Sequence, residues 1–150
     1  MNWPKALITE LAARRCIIFL GAGASAGSIS VNGAKRPPTW NQLLQNLIGM
    51  MNDDTDKPVI NDYIQKEKYL EAAEIIIKNI SPANFSGFIR EELITPRYLP
   101  SEVHKAILEI DPKIVITTNY DDIYDNFCRT GAAHEGYNVS KYYESHITSD

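Results

Sequence analysis

The sequence predicts an α/β fold in which a parallel sheet carries a largely helical insertion between its first two strands. Three observations predict it. Cys16-Ile17-Ile18-Phe19-Leu20 and Ile114-Val115-Ile116-Thr117-Thr118 are continuous apolar runs rich in β-branched residues, the pattern of strands buried on both faces. Each run ends in small or polar residues, Gly21-Ala22-Gly23-Ala24-Ser25 after the first and Asn119-Tyr120-Asp121-Asp122 after the second. The interval between them is mostly helical in periodicity and far longer than the ~30-residue beat of a βαβ unit, so a helical module is expected there.

Composition narrows the class. A chain of 150 residues predicts one domain around a single core. Hydrophobic residues at 44% and charged residues at 23% are ordinary for a globular protein and exclude a disordered one. A net charge of -4 provides no basic field for direct nucleic-acid binding. Cys16 and Cys128 are the only cysteines, too few for a disulfide framework or a four-thiolate zinc site, and no metal is expected. Reduced thiols, the lack of a basic-then-apolar leader and the lack of a membrane-length apolar run together predict a soluble, cytoplasmic protein without membrane contact.

The elements follow in order. Asn2 is placed to cap a helix starting near Pro4 that carries Leu7, Ile8, Leu11 and Ala12 on one stripe, with Arg14-Arg15 solvating its end. After the glycine-rich turn, residues 30–38 are polar, include Gly33 and the basic pair Lys35-Arg36, and read as an exposed, mobile connection able to close over a ligand. Thr39-Trp40-Asn41-Gln42 has capping-box spacing, and Leu43, Leu44, Leu47, Ile48 and Met51 continue a helical face with Trp40 as a core anchor. Asn52-Asp53-Asp54-Thr55-Asp56 is a solvated break without calcium-loop spacing.

Further helices are expected around Val59, Ile60, Tyr63 and Ile64, from Tyr69 to Ile80, and after Ser81-Pro82 through Phe85, Phe88, Ile89 and Leu93. Ile75-Ile76-Ile77 is read as helix because it continues Leu70, Ala72 and Ala73. Ser101 caps a helix carrying Val103, Ile107, Leu108 and Ile110, which Asp111-Pro112 stops. His104 lies on that helix with no acidic or thiol partner at ligand spacing and reads as a surface or core-edge residue. A last helix runs from Ile123 through Tyr124 and Phe127 to Gly131, and a short strand is expected around Tyr137-Asn138-Val139.

The turn after the first strand outlines a phosphate cradle. Gly21 and Gly23 permit backbone angles closed to other residues and close approach of a ligand, while Ser25 and Ser28 offer hydroxyls to phosphate oxygens. In open parallel sheets ligands bind outside the carboxyl ends of the strands, so this loop and the Asn119 loop are expected to converge on one crevice.

Gly21-Ala22-Gly23-Ala24-Ser25 after an apolar strand, Pro38-Thr39-Trp40 opening a helix and Thr117-Thr118-Asn119-Tyr120-Asp121 after a later strand together resemble the sirtuin-like domains of bacterial NAD-consuming proteins, many of which act in anti-phage defence. The resemblance spans about Cys16 to Phe127. It implies a Rossmann-like sheet and an NAD site in which Gly21, Ala22, Gly23, Ser25 and Thr118 bind the cofactor, with Asn119 and Asp121 near the nicotinamide ribose and carboxamide. The chemistry stands beside it: cleaving the nicotinamide glycosidic bond develops oxocarbenium character at the ribose carbon. Asn119 can then position ribose hydroxyls or water, and Asp121 can accept carboxamide N–H bonds and stabilise positive charge. The alternative roles of these two residues are a helix cap and a solvated first-turn acid.

Three departures from the family pattern shape the expected activity. Thr118 stands where deacylases have glutamine, and Pro37-Pro38-Thr39-Trp40 stands where they have Asp-Phe-Arg, which disfavours protein deacylation. The family's catalytic histidine is followed by glycine, whereas His134 precedes Glu135 and His146 precedes Ile147. The chain also stops where further sheet strands would follow, so it is expected to be the N-terminal portion of such a domain. The expected function is NAD hydrolysis to nicotinamide and ADP-ribose, in a homo-oligomer or with a fused or associated effector or sensor domain. A deacylase and a non-catalytic NAD- or ADP-ribose-sensing module are the rivals.

Overall fold

The computed structural model describes residues 3–132 and 137–140. It is a mixed α/β structure, mostly helical, with a two-stranded parallel sheet. Helix α1 (Lys5–Ala12) leads into strand β1 (Ile17–Leu20), which passes into a 3-10 turn (Ala22–Ser25). Helices α2 (Trp40–Ile48), α3 (Lys57–Gln65), α4 (Tyr69–Lys78) and α5 (Pro82–Ile89) follow, the last continued by a π turn (Arg90–Ile94). Helix α6 (Glu102–Ile110) leads into strand β2 (Ile114–Thr117), then α7 (Ile123–Phe127) and a second π turn (Cys128–Ala132). The long helical interval expected between the strands is therefore present.

Local chemistry explains the helix starts. Thr39 and Gln42 exchange capping-box hydrogen bonds at α2, Ser81 accepts from the Asn84 N–H at α5, and Ser101 accepts from the His104 N–H at α6. Asp111 ends α6 in a left-handed conformation (φ 51°), followed by Pro112, which cannot continue a helix. Pro4 stands at the N-cap of α1, and the expected Asn2 cap lies outside the described residues. No residue of α1 is buried.

β1 and β2 pair in parallel with Ile17 opposite Ile114, Ile18 opposite Val115, Phe19 opposite Ile116 and Leu20 opposite Thr117. The expectation that both strands are buried on both faces is corrected. Ile18, Leu20 and Val115 face a core of Ala24, Ile107, Leu108, Tyr124 and Cys128, while Ile17 (60% exposed), Phe19 (65%), Ile114 and Ile116 on the other face are exposed. An apolar run reports that both faces are apolar, not that both are covered.

The single expected core is corrected as well. A second cluster, Leu44, Leu47, Ile48, Met51, Ile60, Ile64, Ala72, Ile76 and Ile80, lies within α2, α3, α4 and the residues just after them, with Trp40, Phe85 and Phe88 packed against it. Trp40 stacks on Tyr69 with ring centroids 6.4 Å apart. The amphipathic stripes of these helices satisfy one another, so the insertion owns its core.

The amino ends of the strands are tied together. Arg14 Nε donates to the Asp111 carbonyl (3.0 Å) and its guanidinium pairs with the Asp111 carboxylate (3.2 Å), while Arg15 pairs with Glu10. The Tyr137 hydroxyl reaches the Pro112 carbonyl (2.7 Å) and Asp111 Oδ1 (3.0 Å). Residues 137–140 form no strand, correcting that expectation: Tyr137 is held through its side chain rather than through a ladder.

Residues 30–36 are not a free lid. Ser30 is buried and bridges Tyr98, Val31 N–H donates to Arg97 O, Leu99 N–H donates to Ile29 O, and Lys35 pairs with Glu92 at 2.8 Å. The Tyr98 phenol, pushed up to about 12 mainly by burial and next by the Glu92 charge, remains protonated beside the Glu92 and Arg36 carbonyls. Backbone bonds thus override the polar composition that reads as mobility. No helix among the described residues is long and apolar enough to cross a membrane.

Truncating Ile76, fully buried in the helical core, to alanine is expected to cost about 2–5 kcal/mol in denaturant unfolding. The same change at Leu70 on the same helix, 76% exposed, is expected to cost about 0.5 kcal/mol or less.

Candidate functional site

Parallel pairing sets the carboxyl ends of β1 and β2 side by side, so the segments leaving Leu20 and Thr117 emerge together. They touch. The Asn119 amide donates to the Gly21 carbonyl (3.3 Å) and lies 3.5 Å from Ser25 Oγ, and Ser25 Oγ donates to Asp121 Oδ2 (2.9 Å). Asn119 is itself oriented by its backbone N–H donating to Thr117 Oγ1 (3.0 Å). The convergence expected from the sequence is therefore realised by direct hydrogen bonds between residues nearly one hundred positions apart.

Gly21, Ala22 and Gly23 are exposed at the head of the loop, whereas Ala24 and Ser25 are buried beneath them. The reason expected for the glycines is half corrected. Gly21 has φ -107°, and Gly33 is the glycine with positive φ among the described residues, so neither Gly21 nor Gly23 is required by backbone angle. Packing does not require them either: a Cβ at either position would meet no atom within 4 Å, so both border open space. The first hydrogen bond of the 3-10 turn runs from Ala24 N–H to Gly21 O. The N–H groups of Ala22 and Gly23 precede it, and the turn does not consume them.

The side chains do less of the expected work. Ser25 directs its proton to Asp121 rather than outward. Asp121 accepts from Ser25 with one oxygen and from the Ile123 N–H (3.2 Å) with the other, so its carboxylate bridges the glycine loop to the start of α7. The N-cap of α7 is Asp122, so Asp121 is neither its cap nor a purely solvated acid but a tie between the two segments. Ser28 is buried with no partner for its hydroxyl among the described residues, and it points at no exposed phosphate position. Thr118 is exposed beside Asn119.

A residue read from the sequence as peripheral proves central. His104 is 1% exposed, stacks on Tyr124 (centroids 6.0 Å) and accepts the Ser101 N–H at Nδ1 (3.1 Å). Ser101 Oγ donates to the Ala24 carbonyl (2.7 Å), tying α6 to the back of the glycine loop. Burial pulls the His104 imidazole below its usual range, opposed by the negative charge of Asp121. The acidic neighbour exists but comes from a loop 17 positions later in the chain. Only the Ser101-to-His104 spacing, that of a capping box, signals any of this in the sequence.

Two cavities adjoin the segment after β2, and neither is lined by a glycine-loop residue. One of about 380 Å³ is an apolar groove lined by Trp40, Leu43, Leu70, Ile77, Phe85 and Tyr120, so it abuts the Asn119 loop through Tyr120. The other, about 450 Å³, is lined by Val31, Arg97, Leu99, Asp122, Asn126 and Phe127 among others and contains none of the glycine-loop residues. His134 and His146, the histidines weighed as catalytic bases, lie outside the described residues. No cluster of three or more metal-binding side chains occurs among the described residues. No protein-family model, curated protein or solved structure matches the chain.

The Ser25 hydroxyl and the Asp121 carboxylate form one bridge, so their removal should not be additive. In a double-mutant cycle of Ser25→Ala and Asp121→Asn, unfolding free energies are expected to show a coupling of about 1 kcal/mol or more. A coupling near zero would dissociate the two loops energetically.

Proposed function

We propose that the chain is a sirtuin-like, Rossmann-like NAD-binding unit of a glycohydrolase that converts NAD and water to nicotinamide, ADP-ribose and a proton. The observation that carries this reading is the meeting of the glycine loop with Asn119 through the Gly21 carbonyl. A dinucleotide needs its diphosphate and its labile sugar bond addressed from two places a few ångströms apart. The Ala22 and Gly23 N–H groups precede the first hydrogen bond of the turn and are the donors that would meet the diphosphate.

Asn119 is the residue to act on the sugar. Its amide N–H holds Gly21 O, which leaves its side-chain carbonyl to accept from a ribose hydroxyl or an attacking water. Heterolysis of the bond from C1′ to the pyridinium nitrogen returns the electron pair to nicotinamide and leaves positive charge on the ribose. Water then attacks C1′ and releases a proton. The Asp121 carboxylate, held by Ser25 and the Ile123 N–H, is the negative charge at this loop that would stabilise the developing cation. The resemblance that motivates the reading further supports a cytoplasmic role in bacterial anti-phage defence, as a homo-oligomer or with an effector or sensor domain.

One observation favours a second reading, a binding module without turnover. Both Asp121 oxygens and the Ser25 proton are already engaged within the protein, which suits holding a nucleotide better than transforming it.

Incubation of the purified chain with NAD, followed by chromatography of the products, separates the readings. Nicotinamide release that falls by about 100-fold or more in Asn119→Ala, with an unchanged melting temperature, is the expected result. Binding of ADP-ribose without nicotinamide release selects the module, and neither binding nor release removes both.

A further inference from the structure

We propose that His104 is a positioning residue for the glycine loop, holding the loop in its ligand-accepting shape through Ser101 and the Ala24 carbonyl. The argument begins with proton counting. Ser101 carries one hydroxyl proton, and its Oγ lies 2.7 Å from Ala24 O and 2.9 Å from His104 Nδ1. Ala24 O has no proton to give, so a contact that short requires the hydroxyl proton between them. Nδ1 must then satisfy itself elsewhere, and the Ser101 N–H does so at 3.1 Å. Ser101 Oγ in turn accepts the His104 N–H at 3.4 Å. With the imidazole neutral and its hydrogen on Nε2, Nδ1 accepts the Ser101 N–H while the Ser101 hydroxyl proton is given to Ala24 O.

A proton on Nδ1 breaks this arrangement. It would confront the Ser101 N–H with a second donor and add a donor at 2.9 Å to Ser101 Oγ, the oxygen that holds the Ala24 carbonyl. The cluster is buried, with Ser101 at 5% and His104 at 1% exposed, so water cannot repair the mismatch. A second observation places the loop hard against the same point: a Cβ on Gly27 would come within 3.3 Å of Ser101 Cβ. The loop is thus seated on Ser101 from behind while Asn119 and Asp121 hold it in front.

The groups facing the ring are the Asp121 carboxylate, from the loop after β2, and the Tyr124 phenol, from α7. Burial dominates, so the folded protein binds a proton on His104 only below the usual 6.5, and the unfolded chain binds it more readily. Its contribution to stability is therefore complete above about pH 6.5 and is lost as pH falls through the depressed value.

The test has one arm that needs no ligand and one that rests on the NAD reading. In the wild-type chain, the amide resonances of Ser101, Gly23 and Ala24 are followed by NMR from pH 7.5 to 5 together with the His104 ring. All three are expected to move with the ring, with a midpoint below 6.5, and to stay still in His104→Gln. Glutamine at this position is the ordinary capping-box partner and keeps an acceptor for the Ser101 N–H without titrating. In the second arm ADP-ribose binding is measured at pH 7.5. His104→Leu is expected to weaken it by about tenfold, the size of one net hydrogen bond, while His104→Gln stays within about threefold of wild type.

Loop amides indifferent to the His104 titration, or a folded His104→Leu that binds as wild type does, would overturn the proposal. If His104→Leu does not fold, the NMR arm in wild type and His104→Gln decides. Wild-type protein that ignores ADP-ribose while its loop amides follow His104 defeats the NAD reading and leaves the positioning role standing.

Discussion

The in-register parallel pairing of β1 and β2 is the constraint on which the rest depends. Two strands 97 positions apart are held with Leu20 opposite Thr117, and everything that follows each strand inherits that alignment. A slip of one residue would displace Asn119 by about 3.3 Å relative to Gly21 and turn Ile18 and Leu20 out of the core. The hydrogen bond between the loops would then be lost, as would the Ser25 to Asp121 bridge. Register is secured at the opposite end by Arg14, which grips both the carbonyl and the carboxylate of Asp111, and by Tyr137 on Pro112. The strands are thus tied where they begin so that the loops meet where they end.

Between its two supports the glycine loop has little left to order. Its buried half is committed, Ala24 O to Ser101 and Ser25 Oγ to Asp121, and Gly21 O is taken by Asn119. Its exposed half, Gly21 to Gly23, faces open space. The backbone freedom of such a loop is largely removed on folding. The same economy explains why Ser25 turns inward. A buried hydroxyl with an anionic acceptor at 2.9 Å gains more there than by turning outward.

What was legible in the sequence was what local chemistry decides. The caps at Thr39 and Ser101 and the stop at Asp111-Pro112 involve neighbours within four positions, so spacing alone exposes them. Ile75-Ile76-Ile77 read correctly as helix because the residues before it keep the helical period. The two strands and the meeting of their loops were also legible, since parallel topology places carboxyl ends together. Non-local pairing hid the rest. His104 owes its role to Asp121 and Ala24, residues 30–36 are tied by backbone bonds to Tyr98 and its neighbours, and the coverage of the Ile17 and Phe19 face depends on what packs there. None of these leaves a periodic signature.

The one-sided burial of the sheet bears on how the candidate site is held. With Ile17, Phe19, Ile114 and Ile116 exposed, the apolar stabilisation of β2 comes from its inner face alone, through Val115 and the residues packed around it. Those residues belong to α6, α7, the π turn after it and the glycine loop: Ile107, Leu108, Tyr124, Cys128 and Ala24. The side chains that secure β2 are therefore the immediate neighbours of His104, which stacks on Tyr124 and bonds to the residue that holds Ala24. Strand position and loop position share one small core. His104 reaches that core from its covered side, through the Tyr124 ring and through Ser101 beneath the Ala24 carbonyl.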